Sequence, residues 1–203
     1  RDLHSFPTRR SSDLSLIIGT AVLLSSCESI VEGLNKNPNS IEINDIDAGL
    51  YVNTPELALV SLVRGLDGRM ASLWTGQIVG VNNFPLAYYN YQLTESTFDF
   101  GGYRSVITQS KHIQESAPDN LLYQGLTRVL EAYLFGFYAS AFGDVPATEV
   151  STDVEYPRFE SQKAVFNYSQ QLLDEAISQL RTVGRASYKQ DYLYHGDAQG
   201  WLE

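Results

Sequence analysis

A chain does chemistry through a nucleophile, a proton carrier, a metal cluster or a surface that fits a ligand, and this one is poor in the first three. It has a single cysteine, Cys27, which permits no internal disulfide and no cysteine-based zinc site. Its histidines are His4, His112 and His195. Carboxylates are plentiful, but glycoside hydrolysis needs two of them about 5–9.5 Å apart across a cleft, and nothing in the sequence pairs any two. No nucleophile elbow, phosphate loop or His-Glu-x-x-His occurs. The sequence is therefore read as a non-enzyme, with no metal site and no cofactor. The net charge of −10 repels nucleic acid, and no basic footprint supports DNA or RNA as a partner.

The fourth kind of chemistry is better supplied. Tyrosine is abundant, at 13 residues. The segment GVNNFPLAYYNYQLTESTFDFGG (80–102) gathers amides and rings: Asn82, Asn83, Phe84, Tyr88, Tyr89, Asn90, Tyr91 and Gln92. Trp74 and Gln77 stand one or two turns before it. Rings offer area to an apolar face and amides fix orientation by hydrogen bonds.

Cys27 has a use of another kind. LIIGTAVLL (16–24) is too short for a bilayer, which takes roughly 20 apolar residues, but it fits the apolar region of a signal peptide. Ser25 and Ser26 are the small residues before cleavage. LSSC (24–27) resembles the bacterial lipobox, whose cysteine is acylated and becomes the new N-terminus. A buried cysteine in an apolar helix is the alternative; the polar ESIVEGLNKNPN that follows favours lipidation. Acyl chains contribute about 0.8 kcal/mol per buried CH₂, so several together anchor firmly. Residues 15–26 are thus read as the remnant of a lipoprotein signal peptide. Residues 1–14, RDLHSFPTRRSSDL, back-translate to a sequencing-library adaptor and read as an assembly artefact, so His4, Arg9 and Arg10 carry no functional argument. Residues 27–53 read as a lipid-anchored polar tether. Asn35, Asn37, Pro38 and Asn39 form turns there, and Asp45 and Asp47 serve as caps or solvated charges.

The body expected to position these groups, 54–203, is all-α. A helix opens with Thr54 as N-cap, Pro55 at its first position and Glu56 in its first turn. Leu59, Val63, Leu66, Met70 and Leu73 give it one apolar face, while Gly65 and Gly68 suggest close packing or a bend. A second helix fits 102–117, with Val106, Ile107, Ser110, Ile113 and Ala117 on one side. A third fits 119–142, with a wide apolar stripe over Leu126, Val129, Leu130, Tyr133, Leu134, Phe137, Tyr138 and Ala141. A fourth fits 161–183, burying Val165, Tyr168, Leu172, Ala176 and Leu180. Broad apolar faces on successive helices predict stacked helical hairpins, as in tetratricopeptide-like solenoids, though no clean 34-residue repeat is present. Two connections, 80–102 and 142–161, exceed the usual helix–helix length and mark functional or disordered segments. In the second, Gly143–Pro146 (GDVP) reads structurally as a helix stop, with Asp144 toward a cation or ligand as the alternative.

Four ordered stretches resemble the SusD/RagB family of the SusD-like 2 type. They are LNKNPN after the lipobox cysteine, LEAYLFGFYASAFGDVPATEV, YPRFESQKAVFNYSQQLLDEAISQL and YLYHGDAQGWLE. Gly200 departs from the family's more frequent lysine, and Phe100 stands near where a tryptophan is expected before Tyr103. The resemblance implies a tetratricopeptide-like SusD fold and a lipid-anchored lipoprotein on the bacterial outer membrane. It would bind glycan or peptide nutrients and close over a SusC-type TonB-dependent barrel. Members are considerably longer, so the chain is expected to be their N-terminal part, truncated at the C-terminus. In such proteins rings and amides hold a sugar, which makes Trp74, Asn82, Asn83, Tyr88, Tyr89 and Tyr91 the candidate ligand-binding residues. Trp74 adjoins Leu73 on an apolar face, so core packing is the preferred reading for it; for the tyrosines packing and ligand contact stand level. A glycan-degrading surface enzyme and a helical-repeat scaffold for protein partners are the competing functions.

Overall fold

The structure is a computed structural model, described here over residues 47–94, 97–98, 100–183 and 190–203, with the backbone alone for Leu66 and Asp67. Cys27, the adaptor-like and signal-like segments and the tether up to residue 46 lie outside the described residues. A 3-10 turn, Ala48–Tyr51, leads into α1 (Asn53–Arg64), α2 (Leu66–Trp74) and α3 (Asn83–Tyr89). A π-helical turn, Tyr103–Thr108, runs into α4 (Gln109–Ser116), followed by α5 (Leu121–Phe142), α6 (Gln162–Val183) and α7 (Ala198–Leu202). Among the described residues the one β feature is an isolated antiparallel bridge between Val145 and Glu160.

The helices stack as antiparallel hairpins around α5. Gly125 faces Leu180, Arg128 Nε donates to Glu175 at 3.0 Å, Ser169 Oγ to the Ala132 carbonyl at 2.6 Å and Gln162 Nε2 to the Ala139 carbonyl at 2.8 Å. These pairs run in opposite directions along α5 and α6. On its other side α5 meets α4: Gln114 Nε2 donates to Thr127 Oγ1 at 3.0 Å and Glu131 Oε1 at 2.7 Å, and Gln124 Nε2 to the Gln114 carbonyl at 2.7 Å. Flanked on two sides, α5 is buried almost all round, with Leu126, Leu134, Phe135 and Tyr138 in the core. The expected stripe is therefore too narrow: Leu122, Tyr123, Thr127 and Ala132 are buried as well. Two of its members, Tyr133 and Ala141, face solvent instead.

Sequence chemistry explains the boundaries. The Asn120 side chain accepts from the Tyr123 N–H and starts α5. Gly143, at φ +80°, stops it, a backbone state that L side chains rarely adopt. Asp144 accepts from the Gln162 N–H at 2.9 Å, and Ser161 Oγ from that of Ala164 at 3.3 Å, so both satisfy free donors at the start of α6. The GDVP segment is thus structural in this chain.

Several expected boundaries shift. The first helix is two, broken at Gly65, where an added Cβ would lie 2.5 Å from the Ser61 carbonyl oxygen. Thr54 is not its N-cap; the helix begins at Asn53 without a side-chain cap bond. The second helix opens as a π turn rather than an α turn. The 80–102 connection contains α3. At the end of the supposed tether, Ala48 and Val52 are buried in the core, with Asp47 capping the 3-10 turn through the Gly49 N–H.

Candidate functional site

From Met70 to Thr94 the sequence has no charged residue at all, in a chain that is otherwise acidic. The structure turns this stretch outward. No residue of α3 is buried, and Val79, Val81, Phe84 and Tyr91 are all more than half exposed. The segment is nevertheless pinned. Trp74 Nε1 donates to the Tyr88 carbonyl at 2.9 Å, and the Trp74 ring stacks on Tyr91 at 5.5 Å between centroids with 17° between planes. Gly80 sits so close to α3 that a Cβ would lie 2.1 Å from the Pro85 carbonyl oxygen. Phe84 packs on Tyr88 at 5.9 Å, and the Arg69 guanidinium lies 5.5 Å from the Phe84 ring centre.

Of the expected ligand residues, the fold brings Trp74, Tyr88 and Tyr91 together. The expectation of a core Trp74 is overturned: Leu73 is buried at 3 % exposure, whereas Trp74, one step round the helix, is 38 % exposed. Tyr88 is half-buried and Tyr89 exposed on α3. Asn82 and Asn83 are exposed at the start of α3, where Asn82 makes no side-chain cap bond, so its amide is not used to hold the helix. Asn83 (φ +49°) and Tyr91 (φ +57°) both adopt left-handed backbone, a strain that must be offset by the contacts around them. The result is a pinned platform of rings, with Asn82 and Asn83 in the same uncharged segment and one cation, Arg69, over the Phe84 ring. It can stack on an apolar face and bond to neutral hydroxyl or amide groups.

Next to it lies a cleft of about 670 Å³ lined by Val63, Met70, Trp74, Phe98, Phe137 and Phe142. Trp74 therefore serves both surfaces. Among the described residues the cleft walls offer no charged side chain, and their apolar lining suits apolar groups. Sequence reasoning missed it because Phe98 and Phe137 come from segments far apart in the chain; the uncharged run from Met70 to Thr94 was the available signal for the platform.

Three buried carboxyl groups were also invisible in the sequence. Glu131, at 1 % exposure, has its pKa raised by burial, which outweighs Lys111 at 4.0 Å and the Gln114 hydrogen bond. Glu56, also at 1 % exposure, accepts from the N–H of Tyr192, next to the fully buried Asp191. Asp191 Oδ1 accepts from the Leu193 and Tyr194 N–H groups at 2.9 and 3.0 Å, and Oδ2 from the Gly196 N–H at 2.8 Å and Trp201 Nε1 at 2.7 Å. Burial pushes Asp191 up, but these bonds more than offset it and hold the carboxyl below the ordinary aspartate range. This pair lies inside the protein rather than across an open cleft, so it lacks the access that hydrolysis of a glycan demands. Among the described residues no group of three His, Cys, Asp or Glu side chains gathers as a metal site.

The family model SusD-like_2, described as starch-binding associating with outer membrane, matches residues 67–203. The chain belongs to this family. A solved SusD/RagB family protein from Bacteroides thetaiotaomicron shares the fold, with a TM-score of 0.67 over 77 % of this chain at 23 % identity. The chain spans 35 % of that protein's length. No curated protein matches the sequence. The two positions at which the resemblance leads to a different expectation, 100 and 200, are both closely packed. A Cβ at Gly200 would lie 2.5 Å from Tyr194 Cδ1, so Tyr194 occupies the space a side chain would need. Phe100 stacks on Tyr103 at 6.1 Å and packs against Tyr138 and Phe142 at 5.4 and 4.9 Å.

Proposed function

We propose that this protein is a lipid-anchored, cell-surface component of a nutrient-uptake system of the bacterial outer membrane, binding glycan and passing it to a SusC-type TonB-dependent barrel. The carrying observation is the exposed Trp74–Tyr91 stack, set in an uncharged segment with Asn82 and Asn83 at its edge. An exposed ring pair is costly to leave in water, and its companions are amides without charge, which suits the alternating apolar faces and hydroxyls of a sugar. Family membership supports a binding role at the outer membrane. The lipobox-like LSSC supports attachment through Cys27, and no described helix is long and apolar enough to cross a membrane. A polar tether would let the body swing while the anchor keeps its local concentration near the barrel high.

Peptide as the nutrient is the second reading, since rings and amides also bind extended backbone. Two experiments on the full-length protein test the proposal. Glycan and peptide panels separate the ligand classes, and Cys27→Ala followed by membrane fractionation and barrel pull-down tests the anchor. A Cys27→Ala protein that stays membrane-bound and active in uptake contradicts the lipid-anchored lid.

A further inference from the structure

The segment that closes the described body is fastened to its first helix by an unusual contact. Glu56 Oε2, on α1, accepts from the Tyr192 N–H at 3.0 Å, across 136 residues of chain. Its other oxygen, Oε1, is buried and receives no hydrogen bond from any donor among the described residues. Asp191 stands beside it with both oxygens already accepting two donors each. Tyr192, whose N–H reaches Glu56, is the residue next to Asp191, and the two carboxyls interact electrostatically. Neither carboxylate brings a hydrogen of its own, so a proton held between them would satisfy Glu56 Oε1 and remove their repulsion. Asp191 is the poor choice, because four donors favour its charged form. Glu56 Oε1 is the oxygen left for the proton.

We infer that Glu56 and Asp191 form a proton-held clasp: a single proton on Glu56 Oε1, donated to Asp191, fastens the Asp191–Leu202 segment to α1, and its loss loosens that segment. Loosening would act where it matters for shape. Leu193, Tyr194 and Trp201 from this segment, with Leu59 and Val63 of α1 and Tyr133 of α5, line one groove of about 510 Å³. Trp201 is itself held by its bond to Asp191. Opening the clasp would therefore change both the groove and the setting of α7.

The electrical surroundings support the assignment. Burial raises the Glu56 carboxyl to about 8, the Tyr192 N–H opposes that, and the Asp191 charge adds to it. Besides Arg64 on α1 itself, the described charged or histidine side chains on the elements packed against α1 are Arg69 of α2, Arg104 of the π turn, Lys111, His112 and Glu115 of α4, and Arg128 and Glu131 of α5, with His195 and Asp197 in the Asp191 segment. Among the described residues Asp191 is the ionisable side chain that acts on Glu56. Because the closed form holds the proton more tightly than a solvent-exposed glutamate, closure is favoured at low pH. That advantage falls about tenfold per pH unit from the ordinary glutamate range up to about pH 8, then levels off.

Amide hydrogen exchange at Leu193 and Gly196, compared at matched pH between the full-length protein and Glu56→Gln, isolates this effect, since intrinsic exchange cancels. Gln can accept from Tyr192 and donate to Asp191 without titrating. The ratio of wild-type to variant exchange should rise at least tenfold between pH 6 and 8 and flatten above. A ratio that stays constant with pH overturns the clasp. Should Glu56→Gln fail to fold, infrared spectra of Glu131→Gln, which lacks the other raised carboxyl, give a second test. A protonated-carboxyl band that persists at pH 7 and disappears by pH 9 supports the clasp, and absence of that band at pH 7 refutes it.

Discussion

Asp191→Asn should be among the most damaging single substitutions in this chain. The variant keeps the shape but replaces one acceptor oxygen with an NH₂ group. Each Asp191 oxygen accepts from two donors: Leu193 and Tyr194 on one, Gly196 and Trp201 on the other. Whichever way the amide turns, two buried N–H groups lose their acceptor and face a donor instead. Each such loss costs about 1–3 kcal/mol, so the total is about 2–6 kcal/mol. For a body of this size that lowers the melting temperature by on the order of 10 °C. The pH dependence provides a second check. The Asp191 carboxyl is held below its ordinary range when folded, so its ionised form stabilises the fold above that range, and this contribution is lost as pH falls through the folded value. The gap between wild type and variant in urea unfolding should therefore be widest near neutrality and shrink in acid. A loss under 1 kcal/mol at pH 7, or a gap that widens in acid, refutes the argument.

Other sites give sharp expectations. Gly125→Ala would place a methyl 2.5 Å from Leu180 Cγ, so α5 and α6 must part, at a cost of about 1–3 kcal/mol by chemical denaturation. Gly143→Ala meets no side chain but must adopt φ +80°, and should lose about 1–3 kcal/mol through backbone strain alone. Glu131 binds its proton more tightly folded than unfolded, so wild-type stability falls as pH rises above the ordinary glutamate range. Glu131→Gln should remove Glu131's share of that slope and leave that of Glu56, and its unfolding midpoint relative to wild type should climb as pH rises above the ordinary glutamate range.

The long helices were legible because local chemistry and burial agree in them. On α6 the periodic Val165, Leu172, Ala176 and Leu180 are all buried. Gly65 announced a bend, and Gly143 with Pro146 a stop. What failed depended on partners distant in sequence. Nothing local distinguishes Glu56 from an ordinary first-turn acid; it is buried because Tyr192 and Asp191 come to it. Trp74 was placed inside on the strength of its neighbour Leu73, but one helical step of about 100° is enough to turn a ring from core to surface. The breadth of burial on α5 reflects helices on both its sides, which its own periodicity cannot report. The ring platform was legible as composition, while its Trp74–Tyr91 stack was not, because the two residues meet only after the chain has turned through α3.

The central claim is that this platform binds glycan, and calorimetric titration of the full-length protein with neutral oligosaccharides tests it most directly. Tyr91 is two-thirds exposed and backed by Trp74, so its removal should leave stability nearly unchanged while taking away a stacking surface. Tyr91→Ala is predicted to weaken binding about tenfold, equivalent to ~1.4 kcal/mol, with an unaltered unfolding midpoint. Equal affinity in wild type and Tyr91→Ala would contradict the account.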